Sequence, residues 1–157
     1  MTTKKANGSR REFVELATFR VGQALCGIDI LHIQEINKLM DMTAVPGSPG
    51  YVRGILNLRG QIVTIIDLQR KLGLPGGRLG RRTRNIIVAA KGESVGLLVS
   101  DIGDVVETHT AKVEPSPANI GEIQGRFFTG VAKTKDKLIG LLDLEQLLET
   151  DERNDEH

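Results

Sequence analysis

The most constraining feature of this 157-residue chain is that one of its segments occurs twice. The stretch YVRGILNLRGQIVTIIDLQRKL, residues 51–72, aligns without a gap with FFTGVAKTKDKLIGLLDLEQLL, residues 127–148. The identical residues are Gly54 with Gly130, Asp67 with Asp143, Leu68 with Leu144 and Leu72 with Leu148. Apolar positions coincide as well, so the repeat predicts two copies of one strand-rich unit.

A weaker match lies upstream of each copy. The stretch GIDILHIQEI, residues 27–36, aligns with GLLVSDIGDV, residues 96–105. The same order of segments in both halves supports a duplication, although buried strands resemble one another by composition alone, which leaves chance similarity as the alternative.

The pattern of short apolar runs and glycine breaks predicts an all-β fold, most simply small barrels. DLQRKL and DLEQLL suggest short helices, and LHIQEINKLM, residues 31–40, fits either a short helix or a bent strand. Asp67 and Asp143 stand at their starts, where a carboxylate can accept hydrogen bonds from free backbone N–H groups. We expect these aspartates to cap helices rather than to act as paired catalytic carboxylates.

Composition excludes several classes of function. The formal charge is +1, which gives no overall field that selects nucleic acid or an anionic membrane. The longest apolar runs, such as IVTII, are too short to cross a bilayer, and the N-terminus lacks the apolar core of a secretory signal. The single cysteine, Cys26, excludes an intramolecular disulfide. We therefore expect a cytoplasmic protein.

The sequence offers no convergent set of catalytic or metal-binding residues. His32, His109 and His157 have no ligand spacing with one another or with Cys26. The stretch GGRLGRRTR lacks the Lys-Ser/Thr end of a phosphate-binding loop. We expect no enzymatic activity, no cofactor and no metal.

Three segments of the chain resemble the CheW family of chemotaxis coupling proteins. They are FRVGQALCGIDILHIQEI, VPGSPGYVRGILNLRGQIVTIIDL and VGLLVSDIGDVVE, and the resemblance runs from about Glu12 to about Leu148. The most specific parts are residues 27–36 and 54–68. The resemblance implies two five-stranded SH3-like barrels packed around a shared apolar core, with short helices.

The expected organisation follows from that resemblance. Residues 1–11 form a flexible arm, residues 12–150 form the CheW-like domain, and residues 151–157 form an acidic tail. The first barrel is expected to span roughly 12–76 and the second roughly 84–150.

The resemblance also implies a role as a non-enzymatic scaffold in bacterial chemotaxis-type signal transduction. Its expected partners are the cytoplasmic tip of a chemoreceptor (a methyl-accepting chemotaxis protein) and the regulatory domain of the histidine kinase CheA. We expect no nucleic-acid partner, and contact with the membrane only through receptors, at arrays on its inner face. Flagellar chemotaxis and a related pathway both fit the sequence.

A receptor helix would need an apolar groove with a few orienting polar groups. The candidates for the apolar floor are Ile30, Ile33, Ile36, Val99 and Ile102. The candidates for the polar rim and partner contact are Glu35, Gly54, Asn57 and Arg59. The alternative for the isoleucines is ordinary core packing, and for Glu35 and Arg59 it is a solvated surface pair.

The two copies differ in the polar residues of the hairpin turn. Glu35 and Arg59 of the first copy correspond to Asp104 and Lys135 of the second. The planar guanidinium of arginine can hold a carboxylate with two parallel hydrogen bonds. We therefore predict that Glu35 and Arg59 pair and form a fixed polar edge.

A small β-barrel that binds nucleic acid is the alternative function. It would use the basic loop Arg78–Arg84, whose arginines could contact phosphates. The nearly neutral net charge argues against it.

Overall fold

The computed structural model describes residues 12–75 and 79–149. The predicted arm 1–11 and acidic tail 151–157 lie outside the described residues.

Thirteen strands occur in the described part of the chain. In chain order they are β1 (Phe13–Val21), β2 (Ala24–Asp29), β3 (Ile33–Lys38), β4 (Val52–Leu58), β5 (Gln61–Asp67), β6 (Arg84–Ala90), β7 (Glu93–Val99), β8 (Asp101–His109), β9 (Val113–Glu114), β10 (Asn119–Ile120), β11 (Ile123–Gln124), β12 (Phe128–Lys133) and β13 (Leu138–Leu142). The short α-helices are α1 (Leu68–Lys71) and α2 (Leu144–Leu147), and the 3₁₀ turns are η1 (Ile30–His32), η2 (Thr110–Lys112) and η3 (Gly125–Phe127).

These strands form two main sheets, which confirms the predicted all-β class. The five-stranded sheet has the order β3-β6-β7-β5-β4. The second sheet has six strands rather than the expected five, in the order β8-β1-β2-β13-β12-β9, because the two-residue β9 pairs with β12. Strands β10 and β11 form a separate hairpin.

The predicted boundary between the barrels is wrong. Barrels spanning 12–76 and 84–150 would each use strands from one half of the chain. Instead, β6 and β7 of the second half complete the five-stranded sheet, while β1 and β2 of the first half lie within the six-stranded sheet. The two halves exchange their leading hairpins, an arrangement that strand periodicity does not encode.

The strand register confirms the internal repeat. Ile33 of β3 pairs with Val88 of β6, and Ile102 of β8 pairs with Phe19 of β1. Ile102 lies 69 positions after Ile33, and Val88 lies 69 positions after Phe19, so the two pairs are equivalent with the halves interchanged. The upstream alignment therefore reflects structure rather than chance.

The largest core cluster is shared by both halves. Phe19, Ile66, Leu97 and Phe127 all belong to it, and each is at most 7% exposed. A smaller cluster, which includes Val63, Ile65 and Ile87, is formed by side chains from strands of the five-stranded sheet. A third cluster, which contains Leu16 and Ile139, is formed by side chains from strands of the six-stranded sheet. The expectation of a shared apolar core is confirmed.

The two glycines shared by the repeat meet the same steric demand. A Cβ atom at Gly54 would lie 2.6 Å from the carbonyl oxygen of Thr43, and one at Gly130 would lie 2.7 Å from that of Glu114. In both places a neighbouring strand or bridge passes too close for a side chain. The glycines are therefore needed for backbone approach.

The two aspartates of the repeat are helix caps, as predicted. The Asp67 carboxylate accepts a hydrogen bond from the backbone N–H of Arg70 at 3.3 Å. The Asp143 carboxylate accepts one from Gln146 at 3.1 Å. These contacts satisfy donors that the first turn of a helix leaves unpaired.

Candidate functional site

The hairpin turn between β4 and β5 carries the polar residues that distinguish the first repeat. Arg59 and Gly60 both have positive φ angles, 52° and 87°, as a two-residue type I′ turn requires. The Asn57 side-chain oxygen accepts a hydrogen bond from the backbone N–H of Gly60 at 2.8 Å. Asn57 therefore fixes the turn that presents Arg59.

Arg59 forms an ion pair with Glu35, which confirms the predicted pairing. The Arg59 guanidinium donates through Nη2 to Oε2 of Glu35. The Arg59 side chain is 73% exposed and that of Glu35 is 28% exposed. Glu35 lies on β3 and Arg59 follows β4, the two outer strands of the five-stranded sheet. The pair therefore links opposite edges of that sheet.

A second polar chain, which the sequence did not reveal, holds β3 in place. The amide of Gln61 donates to Ser94 Oγ at 3.2 Å, and Ser94 Oγ donates to the side-chain oxygen of Gln34 at 2.9 Å. Ser94 is 8% exposed, whereas Gln34 and Gln61 are exposed, so only the middle of this link between β5, β7 and β3 is shielded from solvent. Serine and glutamine in strands carry no sequence signal for such a contact.

The predicted apolar floor divides into surface and core residues. Ile36 is 42% exposed, whereas Ile30, Ile33 and Ile102 are partly buried, and Ile33 and Ile102 pack against the main core. Val99 is 2% exposed within that core. Its assignment to a surface groove is wrong because its side chain has no accessible area to offer a partner.

Gly54 is not a rim residue either. It is buried and lies against the Thr43 carbonyl, so its role is to let the backbone approach. Ile102 lies on β8 of the six-stranded sheet, and Ile30 lies in the η1 turn before β3. What we call the docking edge comprises Ile33, Glu35 and Ile36 of β3 with Asn57 and Arg59 of the β4–β5 turn.

The equivalent position in the six-stranded sheet differs. Within residues 12–75 and 79–149, Asp104 and Lys135 form no ion pair with each other, although both are exposed. The nearby Lys133 instead contacts Glu114, with Nζ and Oε1 3.4 Å apart. The polar edge is thus a property of the first hairpin, because the corresponding acid and base of the second copy do not pair.

The basic loop is partly neutralised by contacts within the chain. Arg82 Nη1 lies 3.1 Å from Oδ2 of Asp101, and Arg84 donates to the backbone carbonyl of Arg81 at 2.8 Å. Arg78 lies outside the described residues. The Asp101 carboxylate beside Arg82 disfavours a second anion such as phosphate at that position.

The thiol of Cys26 has low reactivity because it lies in the core. It is fully buried on β2, and burial raises the pKa of its thiol to about 12, with a smaller opposing effect from Arg20. Because the thiolate is the nucleophilic form of cysteine, this residue is unreactive near neutral pH.

Within the described ranges, no helix has the length and apolar character needed to cross a membrane.

Comparisons with known proteins agree with this architecture. Residues 15–152 match the family model of the CheW-like domain. The chain is 31% identical to the chemotaxis protein CheW of Rhizobium meliloti, with 94% of this chain and 92% of the relative covered. It is 32% identical to a probable chemotaxis protein CheW of Rhizobium etli, covering 85% and 86% of the two chains.

A solved structure shows the same fold. The crystal structure of the scaffolding protein TtCheW from Thermoanaerobacter tengcongensis matches with a TM-score of 0.82 and 31% identity. The match covers 91% of this chain and 92% of that chain.

Proposed function

The chain belongs to the CheW-like family of chemotaxis scaffold proteins, and on that premise we propose that it couples a chemoreceptor to the histidine kinase CheA. Proteins of this family generally link those two components. The partners assigned to this chain are the cytoplasmic tip of a receptor and the regulatory domain of the kinase. It acts in the cytoplasm, at receptor arrays on the inner face of the membrane.

The observation that carries the proposal is the Arg59–Glu35 pair across the edges of the five-stranded sheet. An exposed pair of this kind contributes at most about 1 kcal/mol to stability. Its turn nevertheless has its own support, because Asn57 fixes the backbone and Arg59 adopts a positive φ. The Arg59–Glu35 pair is therefore held rigidly although it adds little to the stability of the fold, which fits a role in partner recognition.

The docking edge combines this polar pair with aliphatic surface. Ile36 follows Glu35 on the edge strand β3, points to the opposite face of that strand and is 42% exposed, so a partner that contacts both residues must lie along the free edge of β3. Amphipathic helices bind such surfaces through apolar anchors, with polar groups setting their orientation. We assign Ile36 and the exposed part of Ile33 to the apolar contact and Glu35, Asn57 and Arg59 to orientation of the receptor helix.

The proposed role is non-enzymatic. Asp67 and Asp143, the carboxylates that a duplicated active site would use, are engaged in helix caps. The Cys26 thiol is buried. These groups have structural roles, which supports a scaffold that works through binding alone.

Binding to a purified receptor cytoplasmic fragment tests the assignment. Ile36→Asp should weaken binding at least tenfold, because docking would desolvate the new carboxylate against an apolar helix. Leu138→Asp is the matched control, since Leu138 is 47% exposed but lies on β13 of the other sheet. Equal binding by both variants and the wild-type protein would contradict the proposed docking edge.

A further inference from the structure

The two repeats of this chain cannot complete their sheets separately. The first repeat, residues 12–75, supplies β3, β4 and β5 to one sheet and β1 and β2 to the other. The second repeat, residues 79–149, supplies β6 and β7 to the first sheet and β8, β9, β12 and β13 to the second. Each repeat therefore supplies strands that the other repeat lacks in both sheets.

Four strand pairings hold the repeats together. Two are antiparallel, β3 with β6 and β1 with β8, and two are parallel, β5 with β7 and β2 with β13. In the parallel pairings Ile65 stands opposite Gly96, and Leu141 stands opposite Gly27. The side chains of both repeats also share the main core, where Phe19 and Phe127 belong to one cluster.

The covalent connection between the repeats is single and lies outside these pairings. It runs from the end of α1 at Lys71 to the start of β6 at Arg84. None of the four pairings requires that the two repeats belong to the same molecule. A complementary repeat from a second chain offers the same backbone donors, acceptors and apolar side chains.

We propose that each repeat can pair with the complementary repeat of a second copy of this chain, which forms a dimer by reciprocal exchange. In that dimer both sheets of each half contain strands from two chains. A short tether gives the intramolecular partner an effective concentration of about 1 mM. Pairing between two chains therefore competes with pairing within one chain when the protein refolds near that concentration. It also competes when the chain's own complementary repeat is defective.

Two full-length variants test the proposal by complementation. Val63→Asp damages the first repeat and Ile139→Asp damages the second, at positions that are 1% and 0% exposed. Each variant should fail to fold when refolded alone at any concentration, because every copy carries the same damaged repeat and would bury a carboxylate without a partner in the core. Refolded together, they should form a dimer in which one half combines the two undamaged repeats.

Light scattering coupled to size exclusion gives the mass, and amide chemical-shift dispersion reports the folded half. The expected product has twice the monomer mass and native dispersion for about half of its residues. A mixture that behaves as the sum of the two separate variants would overturn the proposal.

A second measurement covers the case in which one variant still folds alone. Wild-type chains with two different affinity tags would be unfolded and refolded together near the effective concentration of about 1 mM. The proposal requires a dimer that carries both tags, while the same chains mixed without unfolding serve as the control. Recovery of native monomers only, at every concentration up to that range, would also overturn it.

Discussion

Arg59 and Glu35 join the two outer strands of the five-stranded sheet although 24 positions separate them in the chain. The pair closes the side of the sheet where β3 and β4 have no backbone ladder to each other. Because Arg59 is mostly exposed, the pair defines a surface feature more than it stabilises the fold.

Arg59→Glu should impair receptor and kinase assembly while it changes the free energy of unfolding by less than about 1 kcal/mol. The new carboxylate would repel Glu35 where an ion pair stood. Lys91→Glu is a matched control, since Lys91 occupies the same position of the β6–β7 turn with a φ of 54°. Denaturant melts and pulldown of the complex give the two readouts.

The double variant Glu35→Arg with Arg59→Glu distinguishes the pair from its separate members. Partial recovery of assembly is expected if the pair itself is recognised. If the double variant is as defective as Arg59→Glu, each residue contacts a partner independently.

Ile33 and Ile36 should respond differently to the same substitution. Ile33→Asp should lower the free energy of unfolding by roughly 2 kcal/mol or more, because part of its side chain packs against the main core. Ile36→Asp should leave the melting temperature nearly unchanged, since Ile36 is 42% exposed. Equal melting temperatures for both variants would show that Ile33 does not contribute to the core.

Gly54→Ala and Gly130→Ala should each destabilise the fold by roughly 1–3 kcal/mol. In both variants the new methyl group would lie within 2.7 Å of a carbonyl oxygen. Gly80→Ala is the control, because a Cβ there would meet no atom of residues 12–75 and 79–149 within 4 Å. Urea midpoints should separate the first two variants from the third, and three equal midpoints would refute the steric account.

Stability should fall with rising pH above about 9 in part because of Cys26. In the unfolded chain the thiol ionises near its ordinary pKa of 9.0, whereas burial in the folded protein raises that pKa to about 12. The folded state therefore retains a proton that the unfolded state releases, which costs up to about 1.4 kcal/mol per pH unit in that window. Cys26→Ala should show a shallower loss of stability between about pH 9 and 11, measured by denaturant midpoints, and identical slopes would count against this assignment.

Local patterns predicted the elements of this fold more successfully than their assembly. The caps at Asp67 and Asp143 and the tight turn at Arg59 depend on neighbouring residues, which the sequence displays directly. The exchange of hairpins depends on contacts between distant strands, such as Ile33 with Val88. Apolar periodicity is the same whichever strand lies alongside, so it could not reveal this pairing.

The docking edge was predicted only in part for a related reason. Glu35 and Arg59 stood out because the first copy has an arginine in the hairpin turn where the second copy has Lys135, and a planar guanidinium can hold a carboxylate with two hydrogen bonds. Val99 and Ile36 are both β-branched and apolar, yet one is 2% exposed and the other 42%. The difference follows from placement, since Val99 ends a central strand and Ile36 lies on an edge strand.

The most direct test of the central claim is recovery of the kinase on an immobilised receptor cytoplasmic fragment, measured with and without this chain. The account predicts that the wild-type chain increases the amount of CheA retained, that Lys91→Glu does the same, and that Arg59→Glu does not. Kinase retention that is unaffected by the wild-type chain would contradict the claim that this protein couples receptor to kinase.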